Sequence, residues 1–137
     1  MTIVLPIYWT QHYKTKESKT VLVGMNWYRN AHYHSQNAMK KDFHELVSTQ
    51  VRKNLPQVGN NLSEVGKFKL SIKIYYKNTS CDGANIAALI EKFTLDSLQD
   101  ENLIINDNVQ YHLGTTWEVI EQDKNNPRCE ITILKFD

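Results

Sequence analysis

The chain has 137 residues, 41% of them hydrophobic and 23% charged, with a formal net charge of +1, five Gly and three Pro, which are the proportions of one water-exposed folded domain spanning 1–137. A chain of this length buries roughly two-thirds of the surface its unfolded form exposes and needs no staple; its two Cys, Cys81 and Cys129, are too few for a disulfide framework. No apolar run approaches the roughly 18 residues of a membrane span, and the opening from Met1 to Ile7 lacks the basic start and sustained apolar stretch of a signal peptide, so an intracellular, cytoplasmic protein with reduced thiols and no membrane partner is expected.

Taken in order, Ile3 to Trp9 is apolar and β-prone, Lys14 to Lys19 reads as a solvated hairpin loop, and Val21 to Trp27 reads as a buried strand. From about Ser35 to Asn54, Phe43, Leu46, Val47 and Val51 recur at helical intervals, which predicts an amphipathic helix ended by Pro56 and the Asn-rich segment 59–63. Between Lys67 and Lys77 polar and apolar residues alternate, so Phe68, Leu70, Ile72 and Ile74 should point inward and Lys67, Lys69 and Lys73 outward. A second helix is expected over Asn85 to Leu98, with Ile86, Leu89, Ile90, Phe93 and Ser97 on its inner face and Asp82 available as its N-cap. Leu103 to Ile105 suits a short strand, followed by strands over Val109 to Ile120, with Trp117 in the core, and over Glu130 to Phe136, joined by a turn at Lys124 to Arg128. This order predicts an α+β domain, a mixed β-sheet packed in layers against two main helices.

The small net charge hides an asymmetry. Residues 1–77 carry twelve Lys and Arg against four acids, a net of +8, and residues 78–137 carry four against eleven, a net of −7. Lys14, Lys16, Lys19, Arg29, Lys40, Lys41, Arg52 and Lys53 stand in the first part with Tyr13, Trp27, Tyr28 and Tyr33, so cations for DNA phosphates are interleaved with rings that stack on unpaired bases. A solvated helix face has the same composition.

In the acidic part, Asn85, Lys92 and Asp96 fall within about 40° of one another around the second helix, bordering its apolar arc. Asp82 precedes that helix and Asp107 follows it. Carboxylates converging with an ammonium suit Mg²⁺, which takes one or two protein carboxylates and keeps several waters. The simpler reading makes Asp82 an N-cap, Lys92 and Asp96 an i,i+4 ion pair, and Asp107-Asn108 a turn.

The order Asp82-Gly-Ala-Asn85, Glu91-Lys-Phe93, Leu95-Asp-Ser-Leu98 and Ile105-Asn-Asp-Asn-Val109 resembles the signature of RusA-like Holliday-junction resolvases, small endonucleases found mainly in phages and prophages. In that family an Asp and an Asn open a helix, a Lys lies one turn before an Asp-small-Leu sequence, and an acidic pair follows a short hydrophobic strand. The resemblance implies a homodimer that binds four-way DNA junctions and hydrolyses phosphodiesters with Mg²⁺. It makes Asp82 and Asp107 metal-binding and catalytic acids, Lys92 the catalytic lysine, and Asp96 a further acid toward the metal. Two departures stand out. Better-known members carry a second Asp where this chain has Ala84, and the interval from Asn85 to Lys92 is about one helical turn longer. Of the two acids able to replace the missing one, helical position favours Asp96 over Glu91.

The resulting expectation is a Mg²⁺-dependent, structure-selective endonuclease on branched DNA. The alternative is a non-catalytic junction-binding protein that kept the fold, and a third is a phage protein whose acidic half binds a host partner. His32 and His34 lack a third ligand at zinc spacing, Cys81 beside Asp82 is a poor nucleophile, and no Gly-rich loop offers a nucleotide-cofactor site.

Overall fold

The structure, a computed structural model, describes residues 1–58 and 66–136, with the backbone alone for 55–58. Its elements are β1 (Thr2–Pro6), β2 (Tyr8–Gln11), β3 (Lys19–Leu22), α1 (Met25–Asn30), α2 (Tyr33–Val58), β4 (Lys67–Tyr76), α3 (Gly83–Asp100), β5 (His112–Gln122) and β6 (Arg128–Phe136). Four strands form one mixed sheet in the order β1-β6-β4-β5, antiparallel except for the parallel pair β4 and β5, and β2 and β3 make a separate hairpin. This is the expected α+β layering.

The core lies between one face of the sheet and the two long helices. Alternation along β4 turns Phe68, Leu70, Ile72 and Ile74 inward, where they meet Ile3 and Leu5 of β1 and Ile131 of β6. Met39, Phe43, Val47 and Val51 of α2 and Ile86, Leu89, Ile90 and Phe93 of α3 close the other side. Phe43 and Phe93 stack at 5.2 Å between ring centroids, and Tyr28 meets Phe93 edge-on at 5.5 Å, which joins α1 to the helix pair. Each of these large side chains contributes about 1.5–3 kcal/mol by leaving water.

Several elements depart from the sequence reading, each for a local reason. The apolar run from Val21 stops being a strand at Leu22, and Met25–Asn30 is helical, because Gly24 lets Asn85 approach so closely that a Cβ there would lie 2.2 Å from its Nδ2 atom. The strand expected at Leu103 to Ile105 is instead an irregular segment that follows the cap of α3. Asn102 takes a left-handed φ of 59°, its N–H donates to the Gln99 carbonyl and the N–H of Leu103 donates to the Leu98 carbonyl, which is a Schellman cap with Leu98 and Leu103 as its buried apolar pair. Helix α2 begins at Tyr33 and runs through Pro56 to Val58, and the expected turn segment 59–63 lies outside the described residues. β5 runs two residues beyond the expected end, and Trp117 is 45% exposed because β5 is the outermost strand. Leu46, expected inside, faces out.

Candidate nucleic-acid interface

Asp82 caps α3: its Oδ1 accepts from the Asn85 backbone N–H at 3.3 Å. The Asn85 side chain turns the other way, and its Oδ1 accepts the backbone N–H of Asn26 at 2.7 Å. Gly24, the N-cap of α1, has no side chain to serve that first turn, so Asn85 supplies the missing acceptor from another helix. The Asp-Asn pair that opens the motif therefore fastens two helix starts together.

Further along α3, Lys92 Nζ and Asp96 Oδ2 form the i,i+4 ion pair at 3.3 Å, both partly exposed and worth about 0.3–0.5 kcal/mol. Asp96 lies fourteen residues beyond Asp82, or about 21 Å of helix axis. It borders a groove between α2 and α3 with Lys40, Lys41, His44 and Asp100. Asp107 is exposed in the connection to β5, where the Asn108 carbonyl accepts from the Tyr111 and His112 N–H groups and holds the turn beside the start of that strand. Gly83, next to Asp82, lies instead against the ring of Trp117, five residues and roughly 17 Å of strand further on.

Mg²⁺ bridging Asp82, Asp96 and Asp107 is thus not a fit, because a 21 Å separation exceeds any shared coordination sphere with ligands near 2.1 Å. Among the described residues, no three His, Cys, Asp or Glu side chains are grouped to hold a metal ion. The helix face that begins at Ala84 instead looks into a cavity of about 500 Å³ toward β5, walled by Met25, Ala84, Ala88 and Trp117, with Glu91 and Lys92 as its charged pair. Glu91, rather than the Asp96 favoured by helical position, is the acid that shares this cavity with Lys92.

The basic residues divide into two groups. Arg52 is held by Glu101, with Nη2 3.0 Å from Oε1, and the Glu101 carboxyl is lowered from its ordinary range chiefly by the Ser48 hydroxyl and then by Arg52. Lys40 and Lys41 border the Asp96–Asp100 groove, and Lys53 is exposed. Lys14, Lys16, Lys19 and Arg29 are exposed on the β2–β3 hairpin and α1, and among the described residues none is within ion-pair distance of an acid. Lys16 Nζ sits 4.2 Å from the Tyr13 ring centroid, and Trp9 and Trp27 lie 5.9 Å apart beside the hairpin. The polar side chains that line the same concavity as those rings are Gln11, Asn26 and Asn30, of which Gln11 and Asn30 carry no motif in the sequence; the signal for them is the i,i+4 pair Asn26 and Asn30 flanking Trp27.

Compared with known proteins, the sequence matches no family model and no curated protein. Among the described residues, no helix is long and apolar enough to cross a membrane.

Proposed function

We propose that this protein recognises branched DNA, four-way Holliday junctions included, as a homodimer with a RusA-like fold, inside the host cell, and without a shared Mg²⁺ centre. The observation that carries the reading is the set of exposed Lys14, Lys16, Lys19 and Arg29, cations without acid partners among the described residues, on the hairpin and α1 that also carry the half-buried rings of Tyr13 and Trp27. Cations of this kind neutralise phosphates, and rings next to them accept bases that have left the stack, as bases do at a branch point. The homodimer is supported by β5, an eleven-residue sheet edge whose outer N–H and C=O groups accompany exposed Trp117, Val119 and Ile120. Such an edge is covered by pairing, and a two-fold copy of itself is the simplest cover.

A gel-shift and cleavage series with a four-way junction, a linear duplex of equal length, and 0 or 10 mM-scale Mg²⁺ (about 10 mM, ample for a weak Mg²⁺ site) tests this. The junction should shift at lower protein concentration than the duplex, with no nicked product in either condition. Equal affinity for both DNAs refutes the reading.

The second reading is the Mg²⁺-dependent, junction-resolving endonuclease. One observation favours it: Glu91 and Lys92 share the α3–β5 cavity, at the place where the resemblance puts the missing acid. Nicked junction that depends on Mg²⁺ and disappears in Asp107→Asn establishes it; product that survives in Asp107→Asn removes Asp107 from the site.

A further inference from the structure

We propose that the concavity between the β2–β3 hairpin, α1 and the start of α2 is a binding site for a single unpaired DNA base. The inference rests on the branched-DNA reading and names the part of the substrate this surface takes. The concavity measures about 470 Å³, within the roughly 300–1,000 Å³ of small-ligand sites. Its wall is aromatic and held in place. Trp9 is almost fully buried, with its Nε1–H donating to Asp42 Oδ2 at 2.8 Å, and Trp27 leans on it, half-buried, with Tyr13 and His32 on the remaining sides.

The polar groups left over match the edge of a base. Gln11 Oε1 accepts from both the Tyr13 hydroxyl at 2.8 Å and the Ser35 hydroxyl at 2.9 Å, which leaves its Nε2 group to donate. Asn30 Nδ2 donates to the Asn26 carbonyl at 2.7 Å, which leaves its Oδ1 as an acceptor. The His34 N–H donates to His32 Nδ1 at 3.2 Å, so the neutral His32 ring carries its proton on Nε2, a second donor. Donors and an acceptor beside a flat aromatic wall suit a heteroaromatic ring with both kinds of edge group. Lys19 lines the concavity and Lys16 lies over its Tyr13 ring, while exposed Lys14 and Arg29 adjoin Tyr13 and Asn30 in the chain, so the surroundings favour a ring carried by a polyanion. A base still paired and stacked in a duplex presents neither its face nor its full edge, so the site takes one that has been extruded.

The test measures binding of the full chain, by fluorescence anisotropy, to a duplex with one bulged adenine and to the same duplex with an abasic nucleotide at the bulge. The two differ only in the base. The wild-type protein should bind the adenine bulge about tenfold more tightly, the effect of one base-on-ring stack. Trp27→Ala should bring the ratio between the two bulges to about one, and Asn30→Ala, at an exposed position, should reduce it. Equal affinity of the wild-type protein for both bulges overturns the base site while leaving the branched-DNA reading standing. Failure to bind any of the DNAs overturns that reading itself. Retention of the full discrimination by folded Trp27→Ala also removes the proposal.

Discussion

Asn85→Ala isolates the joint between α1 and α3. The substitution removes the Oδ1 acceptor 2.7 Å from the Asn26 N–H and the amide that packs on Gly24. A lost N-cap acceptor costs about 0.5–2 kcal/mol. The Gly24–Asn26 turn is partly wetted, Asn26 being exposed while Gly24 is buried, so water recovers part of the loss and about 1–1.5 kcal/mol is expected. With an unfolding entropy of about 2.1 cal/mol/K per residue, a chain of 137 residues should melt about 4 °C lower. Asn85→Asp keeps the acceptor and sets a negative charge at a helix N-terminus, so it should recover most of the loss, less a small repulsion from Asp82 one turn away. Asn125→Ala, on the exposed turn between β5 and β6, is the control and should stay within about 0.5 kcal/mol of wild type. Thermal unfolding followed by far-ultraviolet circular dichroism compares the three. The reasoning is refuted if Asn85→Ala melts with Asn125→Ala, or if Asn85→Asp is no more stable than Asn85→Ala.

Other outcomes follow from the same geometry. Ile120→Lys places a charge on the open β5 edge and should turn a dimer into a monomer in sedimentation velocity at micromolar concentration; an unchanged dimer would put the interface elsewhere. Ser48→Ala removes the largest cause of the lowered Glu101 carboxyl. A depressed carboxylate adds stability above its unfolded value of 4.5 that disappears as the pH falls through the folded value, so the deficit of Ser48→Ala should be present at pH 7 and shrink below 4.5, and a deficit independent of pH would contradict it. Burial pushes the Cys129 thiol up to about 12, while Cys81 is half-buried beside the Tyr8 hydroxyl. At pH 8 a thiol-disulfide reagent should therefore titrate one thiol in the native protein and two in guanidinium, and fast reaction of both in the native state would show that the β6 core opens.

What the sequence makes legible here is local periodicity. The β4 alternation and the α3 face are set by residues close in the chain, and so is the Asp82 cap, and all three are observed. What it hides depends on distant partners. The helical start of α1 needs Asn85, fifty-nine positions from Asn26, to accept its N–H. The exposure of Trp117 depends on sheet order, because the same β-prone pattern reads as core in a central strand and as surface at the edge. Leu103 is apolar in either arrangement, and the left-handed Asn102 before it, a recognised stop signal, was the available clue. For the candidate site, helical periodicity fixes the angle around α3, while convergence on one ion also depends on distance along its axis. Asp96 shares an angular stripe with Asn85 yet sits about 21 Å beyond Asp82.

Distance along α3 also bears on the junction-resolving reading proposed above, because the resemblance sets Lys92 closer to the start of that helix. One extra helical turn between Asn85 and Lys92 carries the ammonium about 5.4 Å further from the start of α3. The residue one turn closer is Ala88, which shares the cavity with Ala84. A catalytic constellation tolerates displacement of about 0.5 Å, a tenth of that shift. On the junction-resolving reading, an acid restored at position 84 alone therefore leaves Lys92 one turn from where the resemblance sets it. Ala84→Asp should leave junction cleavage at the wild-type level with Mg²⁺ present, measured as nicked product over time; a rise in cleavage from that single substitution would show that Lys92 reaches the acid from its present position and that the added turn is without consequence.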